Sequence, residues 1–133
     1  MNTYIYNAYV TDVYDGDTIT CDIDCGFYTI LKKQKIRLFG IDTPEVRGEE
    51  RTEGLKVRDI LREQILDKTI VLETKKDKKG KYGRWLAIVY LKKENNNDNE
   101  NSENNNENNG NNADYININD WLIEHDHAKP YII

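Results

Sequence analysis

Hydrophobic and polar residues alternate along five segments of this chain, which is the pattern of half-buried β-strands. The segments cover residues 4–14, 18–23, 29–39, 69–74 and 85–91. In the third, Ile36 and Leu38 share one face, while Lys35 and Arg37 share the other. Asp15-Gly16 separates the first two segments and predicts a tight β-hairpin.

Two further segments have helical spacing. Residues 53–66 carry an apolar stripe and predict an amphipathic helix. A shorter helix is expected at 119–125, where Trp121 and Leu122 would face the core. The stripe of the longer helix consists of Leu55, Val57, Ile60, Leu61 and Ile65. Strands, a helix, strands and a helix, in this order, favour a β-rich barrel over a doubly wound sheet.

Residues 94–114 interrupt this pattern with an asparagine-rich tract that has no apolar residue before Ala113. Such a segment cannot offset the entropy of ordering, so we expect disorder there. The tract contains six acidic residues and no Lys or Arg. Without it, the net charge of −5 becomes +1, so the folded surface is near neutral. We expect one domain, with residues 1–93 and 115–133 on either side of the insertion.

Candidate chemistry begins with two acidic groups, Asp15 and Asp17 in the hairpin and Asp42-Thr43-Pro44-Glu45 after the third strand. Carboxylate and carbonyl oxygens suit hard cations such as Ca²⁺ and Mg²⁺. Pro44 stiffens the second loop and keeps Thr43 extended. Alternatively, the aspartates are simple turn formers.

Positive charge accompanies these acids. Residues 75–84 form a lysine-rich turn that ends in Arg84 and could hold backbone phosphates, or could be a solvated hairpin tip. Arginine forks match the oxygens of a phosphoryl group undergoing transfer. Acids and arginines together indicate phosphodiester chemistry.

Three motifs carry a family resemblance. Asp-Gly-Asp-Thr (15–18), Arg-Leu-Phe-Gly-Ile-Asp-Thr-Pro-Glu (37–45) and Lys-Tyr-Gly-Arg (81–84) occur in the order found in thermonuclease, or staphylococcal-nuclease-like, domains. The chain resembles that family over about residues 10–91 and again over 119–131. The resemblance implies a five-stranded OB-type barrel with packed helices and Ca²⁺-dependent hydrolysis of DNA and RNA.

The same resemblance implies roles for individual residues. Asp17, Asp42 and the Thr43 carbonyl would be Ca²⁺ ligands, and Asp15 would act in the outer shell through water. Glu45 would activate the attacking water. The remaining roles concern the substrate: Arg37 and Arg84 would clamp the phosphoryl oxygens, and Lys81, Tyr82 and Tyr131 would contact neighbouring parts of the nucleic acid.

The chain also departs from the family pattern. The loop 46–54 is short and has no second proline, and the usual third helix after Ala128-Lys129-Pro130-Tyr131 is not expected, because the sequence ends at Ile133. Two rival functions remain: a non-catalytic OB-type module that binds single strands, and an interaction scaffold. Clustered acids argue against a pure binder, because they repel phosphate.

The remaining features predict ordinary roles. Cys21 and Cys25 are expected to be reduced, and His125-Asp126-His127 to be a polar helix end rather than a metal site. The first fourteen residues lack a signal-peptide pattern, and no segment is long and apolar enough to span a membrane. We therefore expect an intracellular protein, whether in a cell, an organelle or a virus-infected host, and we expect it to be a monomer.

Overall fold

The computed structural model describes residues 4–79, 84–93 and 114–131, without the side chains of 76–79. These residues form eight strands and two α-helices. In chain order they are β1 (Ile5–Asp15), β2 (Thr18–Asp24), β3 (Ile30–Leu38), β4 (Ile41–Asp42), α1 (Arg51–Ile65), β5 (Thr69–Lys79), β6 (Trp85–Lys92), β7 (Tyr115–Asn117), α2 (Ile118–Glu124) and β8 (Lys129–Pro130). A 3₁₀ turn, Gly48–Glu50, leads into α1.

Five of these strands close into a barrel. The sheet order is β3-β2-β1-β5-β6, and β3 pairs with β6 in parallel, with Ile36 opposite Trp85 and Leu38 opposite Ala87. The other pairings of the barrel are antiparallel, including the β1–β2 hairpin, in which Asp15 pairs with Thr18. The expected five-stranded OB-type barrel with two helices is confirmed.

The barrel interior is filled by the inward faces of the strands and closed by α1. Ile36 and Leu38 are fully buried, as the alternation in β3 predicts, while Arg37 between them faces the outside of the barrel and is mostly covered there. From α1, the buried apolar side chains are Val57, Leu61 and Ile65. Burying each such side chain stabilises the fold by about 1.5–3 kcal/mol.

Helix α2 is fixed to the barrel by one buried polar side chain. The Asn119 amide oxygen accepts a hydrogen bond from the Val89 backbone N–H at 3.0 Å, and its NH₂ group donates to the Phe39 carbonyl at 2.8 Å. Asn119 is 3% exposed. It therefore joins α2 to β6 and to the chain just after β3.

Several boundaries differ from the expectation. Strand β5 runs five residues beyond 74, because its far end continues to pair with β6, Lys79 opposite Trp85. The short strands β4, β7 and β8 were not predicted, since two or three residues carry no readable period. Residues 80–83 and 94–113, which include Lys81, Tyr82 and nearly all of the insertion, lie outside the described residues.

The two cysteines differ in burial, and His125 contacts an aromatic ring. Cys21 is buried, Cys25 is exposed, and both are free thiols. The His125 ring stacks on Trp121 with 4.4 Å between centroids. Across the described ranges, no three His, Cys, Asp or Glu side chains converge on a metal position. In the same ranges no helix has the length and apolar character needed to cross a membrane.

Candidate active site

One cleft on the barrel, with a volume of about 680 Å³, gathers the acidic and basic residues singled out in the sequence. It lies where the β1–β2 turn, the outer face of β3, the loop after β4 and the start of β6 meet. Its walls include all seven of the described acid, arginine and threonine candidates: Asp15, Asp17, Arg37, Asp42, Thr43, Glu45 and Arg84.

The β1–β2 turn is tight because the chain after β4 and helix α1 both pack against it. A Cβ atom on Gly16 would lie 2.6 Å from Val57 Cγ1 and 2.8 Å from Thr43 Cβ. Inside the turn, the Asp17 backbone N–H donates to Asp15 Oδ1 at 3.1 Å, and the Thr43 N–H donates to Asp17 Oδ2 at 3.1 Å. The two acidic segments of the sequence are thus joined by a direct hydrogen bond.

Arg37 bridges the two acidic segments from β3. Its Nη1 forms an ion pair with Asp17 Oδ2, its Nη2 lies 3.7 Å from Asp42 Oδ1, and Nη2 also donates to the Ile41 carbonyl at 3.2 Å. The Arg37 and Asp17 side chains are only 15% and 8% exposed, so water screens this pair weakly. Arg37 is therefore held at the centre of the cleft.

Arg84 reaches the same acid through a threonine. Its Nη1 donates to Thr18 Oγ1 at 3.2 Å, and the Thr18 hydroxyl donates to Asp17 Oδ1 at 3.2 Å. Asp17 is consequently the common acceptor of Arg37, Thr18 and the Thr43 backbone. Arg37 of β3 and Arg84, just before β6, thus line the same cleft.

Asp15 is a mostly buried carboxyl group beside another acid, Asp17. Burial raises its pKa to about 7, and the neighbouring charge of Asp17 acts in the same direction. The hydrogen bond from the Asp17 backbone N–H opposes these effects. A cation bound nearby would favour the ionised form of this carboxyl group.

Glu45 lies at the mouth of the cleft, on a loop held from two sides. Its backbone N–H donates to Glu50 Oε1 at 2.9 Å. Helix α1 approaches the loop so closely that a Cβ on Gly54 would lie 1.9 Å from the Glu45 carbonyl oxygen. The absence of a side chain at residue 54 therefore sets the position of Glu45.

The oxygen groups of the cleft fit a hard cation. Asp17, Asp42 and the Thr43 carbonyl are oxygen ligands of the type that Ca²⁺ and Mg²⁺ use. The Thr43 hydroxyl is buried without a hydrogen-bond partner among the described residues. In the described conformation, Arg37 supplies the positive charge between Asp17 and Asp42, so a cation bound by both aspartates would compete with part of this arginine's ion pairing.

Of the predicted substrate contacts, only Tyr131 is described. Its ring lies against Arg37, with the guanidinium carbon 5.7 Å from the ring centroid. Lys81 and Tyr82 are outside the described residues, so their predicted roles stay predictions. The cleft also contains Lys35, Arg47 and Thr18, which the sequence reasoning did not assign. Lys35 could have been found, because it alternates with Arg37 on the outer face of β3.

Comparisons with known proteins agree with this geometry. A sequence model of the staphylococcal nuclease homologue family matches residues 35–128, which include Arg37, Asp42, Glu45 and Arg84. Thermonucleases of Staphylococcus hyicus and Staphylococcus intermedius are 36% and 33% identical over 91 residues, or 66% of this chain and 50% and 51% of theirs.

An uncharacterized protein of Methanocaldococcus jannaschii is 28% identical over 148 residues, which is 96% of this chain and 60% of the relative. An uncharacterized endonuclease of Haemophilus influenzae is 36% identical over 88 residues, 66% of this chain and 44% of that protein. The chain thus spans about half the length of the curated relatives it matches.

Proposed function

Because this chain belongs to the staphylococcal nuclease family, we propose that it is a Ca²⁺-dependent endonuclease that hydrolyses phosphodiester bonds of DNA, RNA or both. One observation carries the proposal. Acids from two separate segments converge on a single cleft with Arg37 of β3 and Arg84, which precedes β6, and Arg37 bridges Asp17 and Asp42. A structural role alone would not require three arginines and five carboxylates to share one water-accessible concavity.

In this proposal each residue acts through the chemistry of its side chain. Arg37 and Arg84 bind the non-bridging phosphoryl oxygens, where a planar fork can contact two oxygens at once. The Glu45 carboxylate accepts a proton from the water whose oxygen attacks phosphorus, as the bond to the leaving oxygen breaks. Asp17, Asp42 and the Thr43 carbonyl would hold Ca²⁺, and Asp15 would act on it through water. Ca²⁺, when bound, would neutralise the charge that builds on the phosphoryl oxygens.

Arg37 has a second task in the absence of substrate. Its ion pair with Asp17 keeps a mostly buried carboxylate compensated, since an unpaired buried charge is costly. A bound cation would compete with Arg37 for the aspartates, and a bound phosphate would compete with the aspartates for Arg37. The cleft thus already holds, in its own ion pair, the charges that a phosphate and a cation would use.

The proposal is tested by cleavage of single- and double-stranded DNA and RNA with Ca²⁺, with Mg²⁺ or with excess chelator. We expect cleavage that requires a divalent cation, is fastest with Ca²⁺ and is lost in Asp17→Asn and Glu45→Gln. Glu49→Gln is the matched control, because Glu49 is an exposed acid of the neighbouring 3₁₀ turn outside the cleft walls. Equal rates in chelator and in Ca²⁺ would contradict the metal dependence, and tight binding without cleavage would favour the non-catalytic binding module.

The arginine roles have their own test. Arg37→Lys and Arg84→Lys should lower kcat far more than they weaken substrate binding, because a lysine ammonium cannot reproduce the two-pronged contact. Removing such a contact costs on the order of 3 kcal/mol, or about a hundredfold in kcat. Each variant must melt like the parent protein, since Arg37 lies within β3. Parental kcat with weakened binding in both variants would mean that the arginines only dock the substrate.

A further inference from the structure

A second concavity, of about 450 Å³, opens at the end of the barrel where β1 and β3 begin and β2 ends. Aromatic and aliphatic side chains form most of its lining. The lining includes Tyr4, Tyr6, Ile23, Leu31 and Trp85. Trp85 is 36% exposed and Leu31 is 45% exposed, so this aromatic groove presents apolar surface to solvent. Nothing in the proposed hydrolysis uses it.

The aromatic groove adjoins the catalytic cleft through one pair of consecutive residues. Arg84 lines the cleft, and Trp85 lines the groove. Across the barrel seam, the Trp85 indole N–H donates to Gln34 Oε1 at 3.2 Å, and the residue after Gln34, Lys35, lines the cleft. The groove therefore begins one residue away from Arg84 of the cleft.

We propose that the aromatic groove binds unpaired bases of the substrate strand, with Trp85 as the main stacking surface. The inference rests on the proposed nuclease function and makes that function selective for single-stranded nucleic acid. Stacking of a base on an aromatic ring needs no particular base, because every base has a π-face. Bases inside a duplex have both faces covered, so a duplex cannot use the groove without unpairing.

Charge at the rim of the groove favours a nucleic acid as the occupant. In β3, Leu31 lines the groove, Lys32 and Lys33 follow as exposed residues, and exposed Lys35 lines the cleft. Lys32 is partly neutralised by Asp22, 3.7 Å away. The lysines provide a route for phosphates between the groove and the cleft, as in proteins that bind single strands without sequence preference.

A membrane surface fits this region less well. Phe27 and Tyr28 at the tip of the β2–β3 hairpin are fully exposed, and a flat bilayer would contact them before it contacted the concave groove. A second copy of the chain would bury the tip and the groove together. Neither alternative explains why the apolar groove begins one residue away from Arg84 of an arginine-containing cleft.

The test measures binding in excess chelator, so that no cleavage is needed. A fluorescent oligothymidylate and a duplex of the same length are titrated with the parent protein, Trp85→Leu, Trp85→Phe and the control Tyr115→Leu. Tyr115 is a matched aromatic residue, 39% exposed, on a different surface of the barrel. We expect Trp85→Leu to weaken single-strand binding about tenfold, Trp85→Phe to retain most of it, and duplex binding and the control to stay unchanged.

Base stacking on Trp85 can be measured directly by tryptophan fluorescence in the Trp121→Phe variant, in which Trp85 is the only tryptophan. Oligothymidylate should quench its fluorescence in chelator, and this reading does not depend on how well Trp85→Leu folds. Parental single-strand affinity in Trp85→Leu without quenching overturns the inference, as does an equal loss for the duplex. Quenching by anionic phospholipid vesicles or by self-association, but not by oligothymidylate, also overturns it.

The two proposals fail in different ways. Quenching and selective single-strand binding without cleavage in Ca²⁺ would leave the aromatic groove standing and remove the nuclease function. Cleavage in Ca²⁺ with unchanged binding by Trp85→Leu would leave the nuclease function standing and remove the groove.

Discussion

Replacing Gly54 by alanine is the sharpest test of how helix α1 positions the catalytic cleft. In an isolated helix this substitution is stabilising, because alanine is a better helix former by about 1 kcal/mol. Here the added Cβ would lie 1.9 Å from the Glu45 carbonyl oxygen, 2.4 Å from its carbonyl carbon and 2.9 Å from the Val46 Cα. All three are backbone atoms, so no side chain can rotate away. Either the helix or the loop must move by about 1 Å or more.

Overpacking of this kind typically costs 1–3 kcal/mol, and the upper part of that range applies because backbone must shift. After the gain of about 1 kcal/mol in helix propensity, we expect Gly54→Ala to lose about 1–2 kcal/mol of unfolding free energy. The melting temperature should fall by roughly 5 °C for each kcal/mol. Because Glu45 is on the displaced loop, kcat should fall as well, on the order of a hundredfold for a misplacement of about 1 Å.

Urea unfolding and cleavage in Ca²⁺ measure the two effects separately. Glu53→Ala is the control, since Glu53 is the exposed neighbour of Gly54 in α1 and should change stability by less than about 0.5 kcal/mol. If Gly54→Ala were about 1 kcal/mol more stable than the parent and equally active, the close approach of helix and loop would not govern the position of Glu45.

Three further outcomes are expected. Asn119→Ala should cost about 2–4 kcal/mol in urea unfolding, because the Val89 N–H and Phe39 carbonyl lose their partner; a loss below 1 kcal/mol would contradict its role in fixing α2. Burial raises the pKa of the Cys21 thiol to about 12, so this thiol stays protonated at pH 8. A thiol reagent should therefore modify one cysteine in the native protein and two in urea. Two rapid reactions in the native protein would show that Cys21 is accessible. Deleting residues 95–112 should leave melting and cleavage nearly unchanged, because the flanking β6 and β7 are paired and the Lys93 N–H bonds to the Asp114 carbonyl at 2.8 Å; a large loss of either would reveal contacts made by the tract.

Local periodicity was sufficient for the elements that bury one face. The alternation in residues 29–39 predicted which side chains of β3 face the core, and the stripe of α1 predicted Val57, Leu61 and Ile65 as buried. The Asp15-Gly16 turn was readable because few residue pairs suit a two-residue hairpin. In each case the information lies within a few neighbouring residues, so no knowledge of the rest of the chain was needed.

The candidate site was readable only in part. The three motifs contain the acids and arginines that line the cleft in the structure. The predicted roles of Lys81 and Tyr82 stay predictions. The sequence could not show that Thr18 links Arg84 to Asp17, because that contact joins residues 66 positions apart. It also could not show that Arg37 pairs with Asp17 and Asp42 at the same time.

The sequence by itself therefore determined the five barrel strands, the long helix and the set of reactive side chains, because period and residue type are local properties. Tertiary structure alone decided the parallel closure of β3 on β6, which makes Arg84 a neighbour of the β1–β2 turn and Trp85 a neighbour of Gln34. Tertiary structure also explains the glycine at residue 54. Glycine is a weak helix former, but here a Cβ atom would collide with the backbone of Glu45. These features depend on distances between residues far apart in the chain, which only the closed barrel sets.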